Sequence, residues 1–159
     1  MSERSVDHAS FTLERTYPAP PERVFAAWAS QQAKSQWFGP DADDTGEHTL
    51  DFRVGGREHL SGAIPGGPTF TLDATYHDIV DHERVVWSYD IHLDGRRISV
   101  SLATVQISPV PGGATLILTE QAAFLDGLDT NGAREQGTVE LLDKLGHYLA
   151  APWDARTPR

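Results

Sequence analysis

Alternation of apolar and polar positions marks the first element of the chain. In residues 11–17, Phe11, Leu13 and Tyr17 share one face, and threonine and glutamate side chains share the other. Because successive side chains of a strand point to opposite faces, a period of two residues predicts a β-strand. The proline at position 18 ends this strand.

The next two segments have helical spacing. The run PAPPERVFAAWAS, residues 18–30, has prolines at its entrance and then Val24 and Trp28 four residues apart, which predicts a short amphipathic helix. A second short helix is predicted over residues 31–38, and the Gly-Pro pair at 39–40 ends it.

From residue 48 the chain returns to extended patterns separated by turn signals. Gly55 and Gly56 end or bulge the first of these strands, and Asp94-Gly95 is typical of a two-residue hairpin. Neither a helix start nor a Lys-Ser/Thr pair follows the two glycines, so a phosphate-binding loop is rejected. Tight turns predict an antiparallel meander of strands over residues 48–54, 57–64, 69–80, 83–91, 97–108 and 114–122.

The longest helical pattern covers residues 129–150. Asp129, Thr130 or Asn131 can cap its start. Its apolar stripe consists of Val139, Leu142, Leu145 and Leu149, widened by Leu141 and Tyr148.

Gly137 lies inside this predicted helix. Counting back four and eight residues from Leu145 leads to Leu141 and Gly137, which predicts that a residue without a side chain lies on the inward face. Glycine in a helix costs about 1 kcal/mol relative to alanine. Two explanations stay open, namely close contact between helix and sheet or space for a ligand.

The order of elements indicates the α+β class. We expect a curved antiparallel sheet of six to seven strands wrapped around the long C-terminal helix, with two short helices after the first strand. A single domain is predicted over residues 10–150, with flexible tails at residues 1–9 and 151–159.

Composition narrows the classes of partner. The 159 residues include 13 basic and 23 acidic side chains, a formal net charge of −10, and no cysteine. Nucleic acid is excluded as a partner because its binding depends largely on cations that meet phosphates, and anionic membranes are disfavoured likewise. No apolar run approaches the roughly 18 residues of a membrane span, so membrane insertion is not expected. The lack of cysteine excludes disulfides and fits a cytoplasmic location.

Several local motifs, taken in order, resemble the START-like, helix-grip (SRPBCC) superfamily. More narrowly, they resemble the family named for homologues of the activator of the heat-shock-protein-ninety ATPase. The motifs are FTLERTY at 11–17, PAPPERVFAAW at 18–28, WFGP at 37–40, DFRVGGR at 51–57, VVW at 85–87, TLILTE at 115–120 and LDKL at 142–145.

The resemblance implies a cavity between the sheet and the long helix. Members of the superfamily include lipid and polyketide binders, aromatase/cyclases, hormone receptors and a few hydrolase-like enzymes, so the fold alone does not define the function. One position departs from the family pattern. Where the family often has Gly-Trp in the last helix, this chain has Gly137 followed by Thr138.

Glu120 is the most informative polar candidate. Alternation with Leu118 places Glu120 on the core face of its strand. A buried carboxylate needs a partner, which Arg134, Arg53 or Arg57 could supply. Two roles stay open for it: a structural ion pair, or a group that orients a ligand or acts as a general acid or base.

The sequence contains no set of residues with the types and spacing that a metal site or a nucleophilic active site requires. The seven histidines are scattered, and no pair has a zinc-site spacing on one element, so neither a metal nor a cofactor is expected. His59 and His77 could meet across strands but are expected to be exposed strand residues. The acidic run at 41–47 lacks calcium-loop spacing and indicates a solvated loop. No G-x-S-x-G motif is present.

The leading hypothesis is a cytoplasmic protein that binds a hydrophobic small molecule, such as a lipid, polyketide or aromatic metabolite, beneath the long helix. One alternative is a cyclase- or hydrolase-type enzyme that uses Glu120 as acid or base. The other is a chaperone-linked interaction module, with a protein partner or a second copy of the chain. The predicted ligand-binding residues are Trp37, Phe38, Phe52, Phe70, Tyr76, Trp87, Tyr89, Glu120, Arg134, Gly137 and Leu141.

Overall fold

Seven strands and three helices make up the computed structural model, which describes residues 4–40 and 46–152. The helices are α1 (Pro21–Ala29), α2 (Gln31–Lys34) and α3 (Asn131–Ala150). The strands are β1 (Val6–Tyr17), β2 (Glu47–Leu50), β3 (Arg57–Ala63), β4 (Thr69–Val80), β5 (Arg84–Leu93), β6 (Arg96–Val110) and β7 (Gly113–Leu125).

All seven strands join one antiparallel sheet in the order β1-β7-β6-β5-β4-β3-β2. The strands from β2 to β7 therefore form the predicted meander, and β1 returns to pair with the last of them. The α+β prediction is confirmed, with two short helices after β1 and a long C-terminal helix packed on the sheet.

The first strand is longer than its alternating segment. It begins at Val6, which pairs with Leu125 of β7, so ordered structure starts before the predicted domain boundary at residue 10. Residues 6–9 have no regular apolar pattern, and their extended form comes from backbone hydrogen bonds to a strand more than a hundred residues away.

The predicted strand over residues 48–54 ends early, at Leu50, and residues 51–56 turn the chain into β3. Gly55 adopts a φ of +83°, and an added Cβ at Gly56 would lie 2.0 Å from the carbonyl oxygen of Asp51. Both glycines are thus required by the shape of this turn, which explains them without any phosphate ligand.

One face of the sheet forms the core. Every second residue of β7 from Ala114 to Phe124 is buried, which confirms that Glu120 lies on the inner face with Leu116 and Leu118. Val24 and Trp28 of α1 are buried against the same core. Alternation along a central strand is thus sufficient to place a polar residue inside.

The N-terminus of α3 is capped by Thr130, whose hydroxyl accepts a hydrogen bond from the Ala133 amide. The buried face of the helix runs through Arg134, Thr138, Leu142, Leu145 and Leu149. This confirms Leu142, Leu145 and Leu149 of the predicted stripe and adds two residues that the apolar pattern did not include, whereas Val139, Leu141 and Tyr148 are half-buried.

The prediction that Gly137 lies on the inward face is wrong. Thr138 is the buried residue, and Gly137 is exposed. A helix turns by 100° per residue, so two steps of four residues from Leu145 rotate Gly137 by about 80° away from it. The position therefore lies on the flank of the helix.

The long helix lies closest to β1 and α1. The Tyr17 hydroxyl donates a 2.8 Å hydrogen bond to the carbonyl oxygen of Leu142, and Gly146 leaves room for the Tyr17 ring. The helix is therefore held to one side of the sheet. Among the described residues, no helix has both the length and the apolar composition that crossing a bilayer requires.

Two glycine-to-alanine substitutions test these placements. Gly56→Ala is expected to lower the free energy of unfolding by more than about 1 kcal/mol, because its Cβ collides with backbone. Gly137→Ala is expected to raise it by up to about 1 kcal/mol, because alanine favours a helix and no atom lies within 4 Å of the added Cβ. Urea unfolding measures both. A less stable Gly137→Ala protein would contradict the position of Gly137 in open space.

Candidate functional site

A pocket of about 810 Å³ lies between α3 and the inner face of the sheet. It occupies the side away from β1, where residues of β3 to β7 face the helix. Its apolar wall includes Trp28, Phe38, Leu60, Phe70, Leu72, Trp87, Ile91 and Leu118. The helix that is held at β1 thus leaves a space over the middle of the sheet.

Most residues that the sequence pattern singled out meet at this pocket. Phe70, Trp87, Tyr89 and Glu120 reach it from the sheet, and Phe38 reaches it from the turn after α2. The contribution of α3 to the lining includes Arg134, Gly137 and Leu141. Gly137 borders the pocket from the exposed flank of the helix.

Three of the predicted ligand contacts lie outside the lining. Trp37 is buried in the core, where its indole Nε1 donates to the carbonyl oxygen of Ala27 at 3.2 Å. Phe52 packs edge-on against Phe25 and Tyr76, with ring centroids 5.7 Å and 5.1 Å away. Tyr76 is likewise buried. Large aromatic side chains at element boundaries here fill the core.

The polar end of the pocket is built around Arg134. Its Nη1 donates to the Tyr89 hydroxyl and to Oε2 of Glu120, each at 3.2 Å. The Tyr89 hydroxyl in turn donates to Oε1 of Glu120. Three residues from α3, β5 and β7 therefore bond to one another in a closed triangle.

Further partners complete this group. Nη1 of Arg134 also reaches the Ser101 hydroxyl at 3.2 Å, and Nη2 donates to Ser99 at 2.7 Å and to Asp129 at 3.0 Å. The six residues, called the Arg134 cluster below, are Tyr89, Ser99, Ser101, Glu120, Asp129 and Arg134. Of the two roles considered for Glu120, the structural ion pair is present with Arg134 as the partner, and it borders the pocket.

Burial and charge together set the titration of this cluster. Burial by itself would lower the pKa of Arg134, but the neighbouring Tyr89, Glu120 and Asp129 outweigh it and raise that pKa. Burial, followed by the nearby Glu120 carboxylate, raises the pKa of Tyr89. The phenol therefore stays protonated at neutral pH and remains a hydrogen-bond donor to Glu120.

Sequence patterns missed the two serines for a clear reason. On β6, Ser99 and Ser101 are buried, whereas the apolar Val100 and Leu102 between them are 44% and 39% exposed. The usual rule that apolar residues face the core would therefore place Val100 and Leu102 inside and the two serines outside, which is the opposite of what the structure shows. The signal that places them correctly lies further along the strand, where Val105 and the residues in phase with it are buried.

A second buried charged group lies behind the aromatic wall. Lys34 and Glu58 are each 1% exposed, and Nζ of Lys34 lies 2.8 Å from Oε1 of Glu58. The Tyr76 hydroxyl donates to the same oxygen at 2.7 Å, and His48 Nε2 lies 2.7 Å from Oε2. Lys34, His48, Glu58 and Tyr76 are called the Lys34 cluster below.

Aromatic rings surround the Lys34 ammonium. Its Nζ lies 4.2 Å from the ring centroid of Phe38, 5.6 Å from Trp28 and 5.7 Å from Trp87. A cation over the face of an aromatic ring is stabilised by the ring quadrupole. Because these three rings also line the pocket, the Lys34 cluster fixes the aromatic wall of the pocket.

Glu58 is held as a carboxylate. Burial alone would raise its pKa, but the Lys34 ammonium and hydrogen bonds from His48, Lys34 and Tyr76 together lower the pKa to about 2. Only weak signals in the sequence point to this pair. Glu58 is in phase with Leu60 on β3, and Lys34 stands four residues before Phe38 at helical spacing.

The histidines and acidic residues form no metal site in the described ranges. His59 Nδ1 contacts Asp73 at 2.7 Å, and His77 Nε2 contacts Ser88 at 2.7 Å, so the two histidines do not meet. No group of three or more potential metal ligands is present in residues 4–40 and 46–152. Most of the predicted solvated loop at 41–47 lies outside the described residues.

The sheet order, the paired short helices after β1 and the long α3 define the helix-grip, START-like architecture. Residues 18–150 match the family described as Activator of Hsp90 ATPase homolog 1-like protein, and the chain belongs to this family. A search of curated proteins finds no match. The family resemblance seen in the sequence motifs is therefore confirmed.

Solved structures agree with this assignment. An uncharacterized protein from Rhizobium leguminosarum shares 43% identity, with a TM-score of 0.88 over 93% of this chain and 98% of that one. Mll3558 from Rhizobium loti also shares 43% identity, with a TM-score of 0.85 over 91% and 99%. CV1439 from Chromobacterium violaceum, at 22% identity, has a TM-score of 0.73 over 90% and 98% and shows the shared fold alone.

Removing the buried cation is expected to destabilise the protein strongly. Lys34→Ala leaves Glu58 without its ammonium partner and should lower the free energy of unfolding by about 3–5 kcal/mol. Arg84→Ala serves as the control, because the Arg84–Asp78 pair is 51% and 42% exposed, and such surface pairs contribute about 1 kcal/mol or less. Chemical denaturation measures both. Equal losses in the two variants would refute the special role of the buried pair.

Acid sensitivity should depend on Glu58. Because its pKa is lowered from 4.5 to about 2 on folding, its contribution to stability is complete above about pH 4.5 and is lost as the pH falls toward 2. Glu58→Gln is therefore expected to flatten the pH dependence of the unfolding free energy in this window. Urea titrations at several pH values between 5 and 2.5 measure the slope. Parallel curves for the two proteins would contradict the assignment.

Proposed function

We propose that this protein binds a hydrophobic small molecule in the pocket beneath α3. The observation that carries the proposal is the coexistence of an aromatic wall and a buried polar group in one cavity. Ligand sites in proteins are typically apolar concavities with a few placed polar groups that fix orientation. The walls here are Trp28, Phe38 and Trp87, and the polar group is the Arg134 cluster.

The size of the cavity supports this use. Its volume of about 810 Å³ falls within the roughly 300–1,000 Å³ that is typical of small-molecule pockets. Gly137 and Leu141 border it from α3. A lipid, polyketide or aromatic metabolite of moderate size fits these dimensions.

The residues around the pocket support a preformed site. The Lys34 cluster holds the aromatic wall from behind, and the Arg134 cluster ties α3 to β5, β6 and β7 at the polar end. A ligand that enters such a site meets side chains whose rotamers are already restricted, which reduces the entropy lost on binding.

Catalysis by Glu120 is the second candidate. Glu120 borders the pocket, as a general acid or base must. Its oxygens, however, already bond to Tyr89, Ser101 and Arg134. That geometry favours a positioning role in ligand binding. The family description by itself does not bring a chaperone partner to this chain.

A substitution at Gly137 tests the binding site. Gly137→Leu places a side chain at the border of the pocket, so we expect it to weaken binding of the neutral fluorophore N-phenyl-1-naphthylamine by about tenfold or more. Gly132→Leu is the matched control, because Gly132 lies in the same helix with open space at its Cβ and does not line the pocket. Fluorescence titration gives the affinities, and circular dichroism verifies the fold.

Two results would count against the proposal. One is that N-phenyl-1-naphthylamine does not bind to the parent protein. The other is that Gly132→Leu weakens binding as much as Gly137→Leu does, which would place the fluorophore elsewhere.

A further inference from the structure

In the Arg134 cluster, the terminal N–H donors of the arginine are fully used, whereas some acceptor oxygens are not. The two terminal nitrogens of Arg134 have four N–H groups, and they face five acceptors in Tyr89, Ser99, Ser101, Glu120 and Asp129. The Tyr89 hydroxyl donates to Glu120. These donors therefore have partners inside the protein.

The acceptors of the same cluster keep spare capacity. A carboxylate oxygen has two lone-pair directions. Oε1 of Glu120 receives one hydrogen bond from Tyr89, and the two oxygens of Asp129 receive one each, from the Thr130 amide and from Arg134. Glu120 and Asp129 both border the pocket. What these two carboxylates offer to a ligand is therefore acceptor oxygens.

The charges of the cluster also favour a ligand that donates hydrogen bonds. Two carboxylates, Glu120 and Asp129, oppose the single guanidinium of Arg134. The N-terminal end of α3 contributes about half a positive charge and offsets only part of this excess. Around the whole pocket, the acidic residues also include Glu140 and Asp143, and the further basic residues are Lys144 and His147.

We infer that the ligand presents a hydrogen-bond donor, such as a hydroxyl, N–H or ammonium group, to the Arg134 cluster, and that the pocket discriminates against carboxylates. This inference rests on the proposed function and names the ligand class for the same site. The arginine in the pocket resembles an anion receptor at first sight. Its terminal N–H groups are already occupied by carboxylates and hydroxyls of the protein, so it does not act as one.

The test uses four naphthalene derivatives that share one ring system. They are 2-naphthylmethylamine, 2-naphthalenemethanol, the methyl ether of that alcohol, and 2-naphthoate. Each competes with N-phenyl-1-naphthylamine for the parent protein at pH 7. We expect the amine and the alcohol to bind about tenfold or more tightly than the carboxylate, because a carboxylate at the Arg134 cluster meets like charge and the terminal N–H groups of Arg134 already have acceptors. The alcohol should also exceed its methyl ether, which accepts but does not donate.

The comparison of alcohol and ether separates the cluster from the overall negative charge, since both compounds are neutral. Asp129→Asn provides a second measurement, because it removes the excess charge while keeping the size of the side chain. It should reduce the ratio of amine to carboxylate affinity by about tenfold. Asp78→Asn removes one negative charge outside the pocket and should leave the ratio nearly unchanged.

The outcomes distinguish this inference from the function on which it rests. If 2-naphthoate binds as tightly as the alcohol and the amine, the inference is wrong while ligand binding stands. If the alcohol gains nothing over its ether, the donor requirement is wrong. If the fluorophore binds but none of the four compounds displaces it, the inference is wrong, and if the fluorophore itself does not bind, the proposed function fails as well.

Discussion

The position of α3 relative to the sheet depends on the buried guanidinium of Arg134. A buried charge is stable only with well-placed partners, and losing one partner costs several kcal/mol. The partners of Arg134 come from β5, β6, β7 and the residue before the cap of α3. The start of the helix is therefore held over the middle of the sheet, while the Tyr17–Leu142 hydrogen bond holds its second half to β1.

The pocket exists because α3 is attached to the sheet in this position. The helix packs most closely on one side, against β1 and α1, and faces the strands on the other side across the pocket. Phe70 and Trp87 therefore face a cavity from the sheet, and Trp28 faces it from α1. The Lys34 ammonium lies among Trp28, Phe38 and Trp87 behind this surface, so a second buried charge keeps the wall in place. Two ionic groups thus define an otherwise apolar site.

The sequence predicted much of the sheet side of the site. Alternation with Leu118 placed Glu120 correctly, and the shared phase of Trp87 and Tyr89 brought both to the pocket. Prediction from the sequence failed where polar residues are buried and apolar residues are exposed. Ser99 and Ser101 are inside while their apolar neighbours are outside. Lys34 and Glu58 are buried because each neutralises the other, and no local pattern contains that information.

The sequence by itself determined the α+β class, the order of elements, the family and the hairpin at Asp94-Gly95, where both residues have positive φ. These depend on short periods and on local backbone preference. Only the tertiary structure decided which charges pair, since Lys34 and Glu58 are 24 residues apart. It also decided the rotation of α3, which buries Thr138 and leaves Gly137 on the flank. Helix rotation and ion pairing depend on contacts between distant elements, and periodicity along the chain does not encode them.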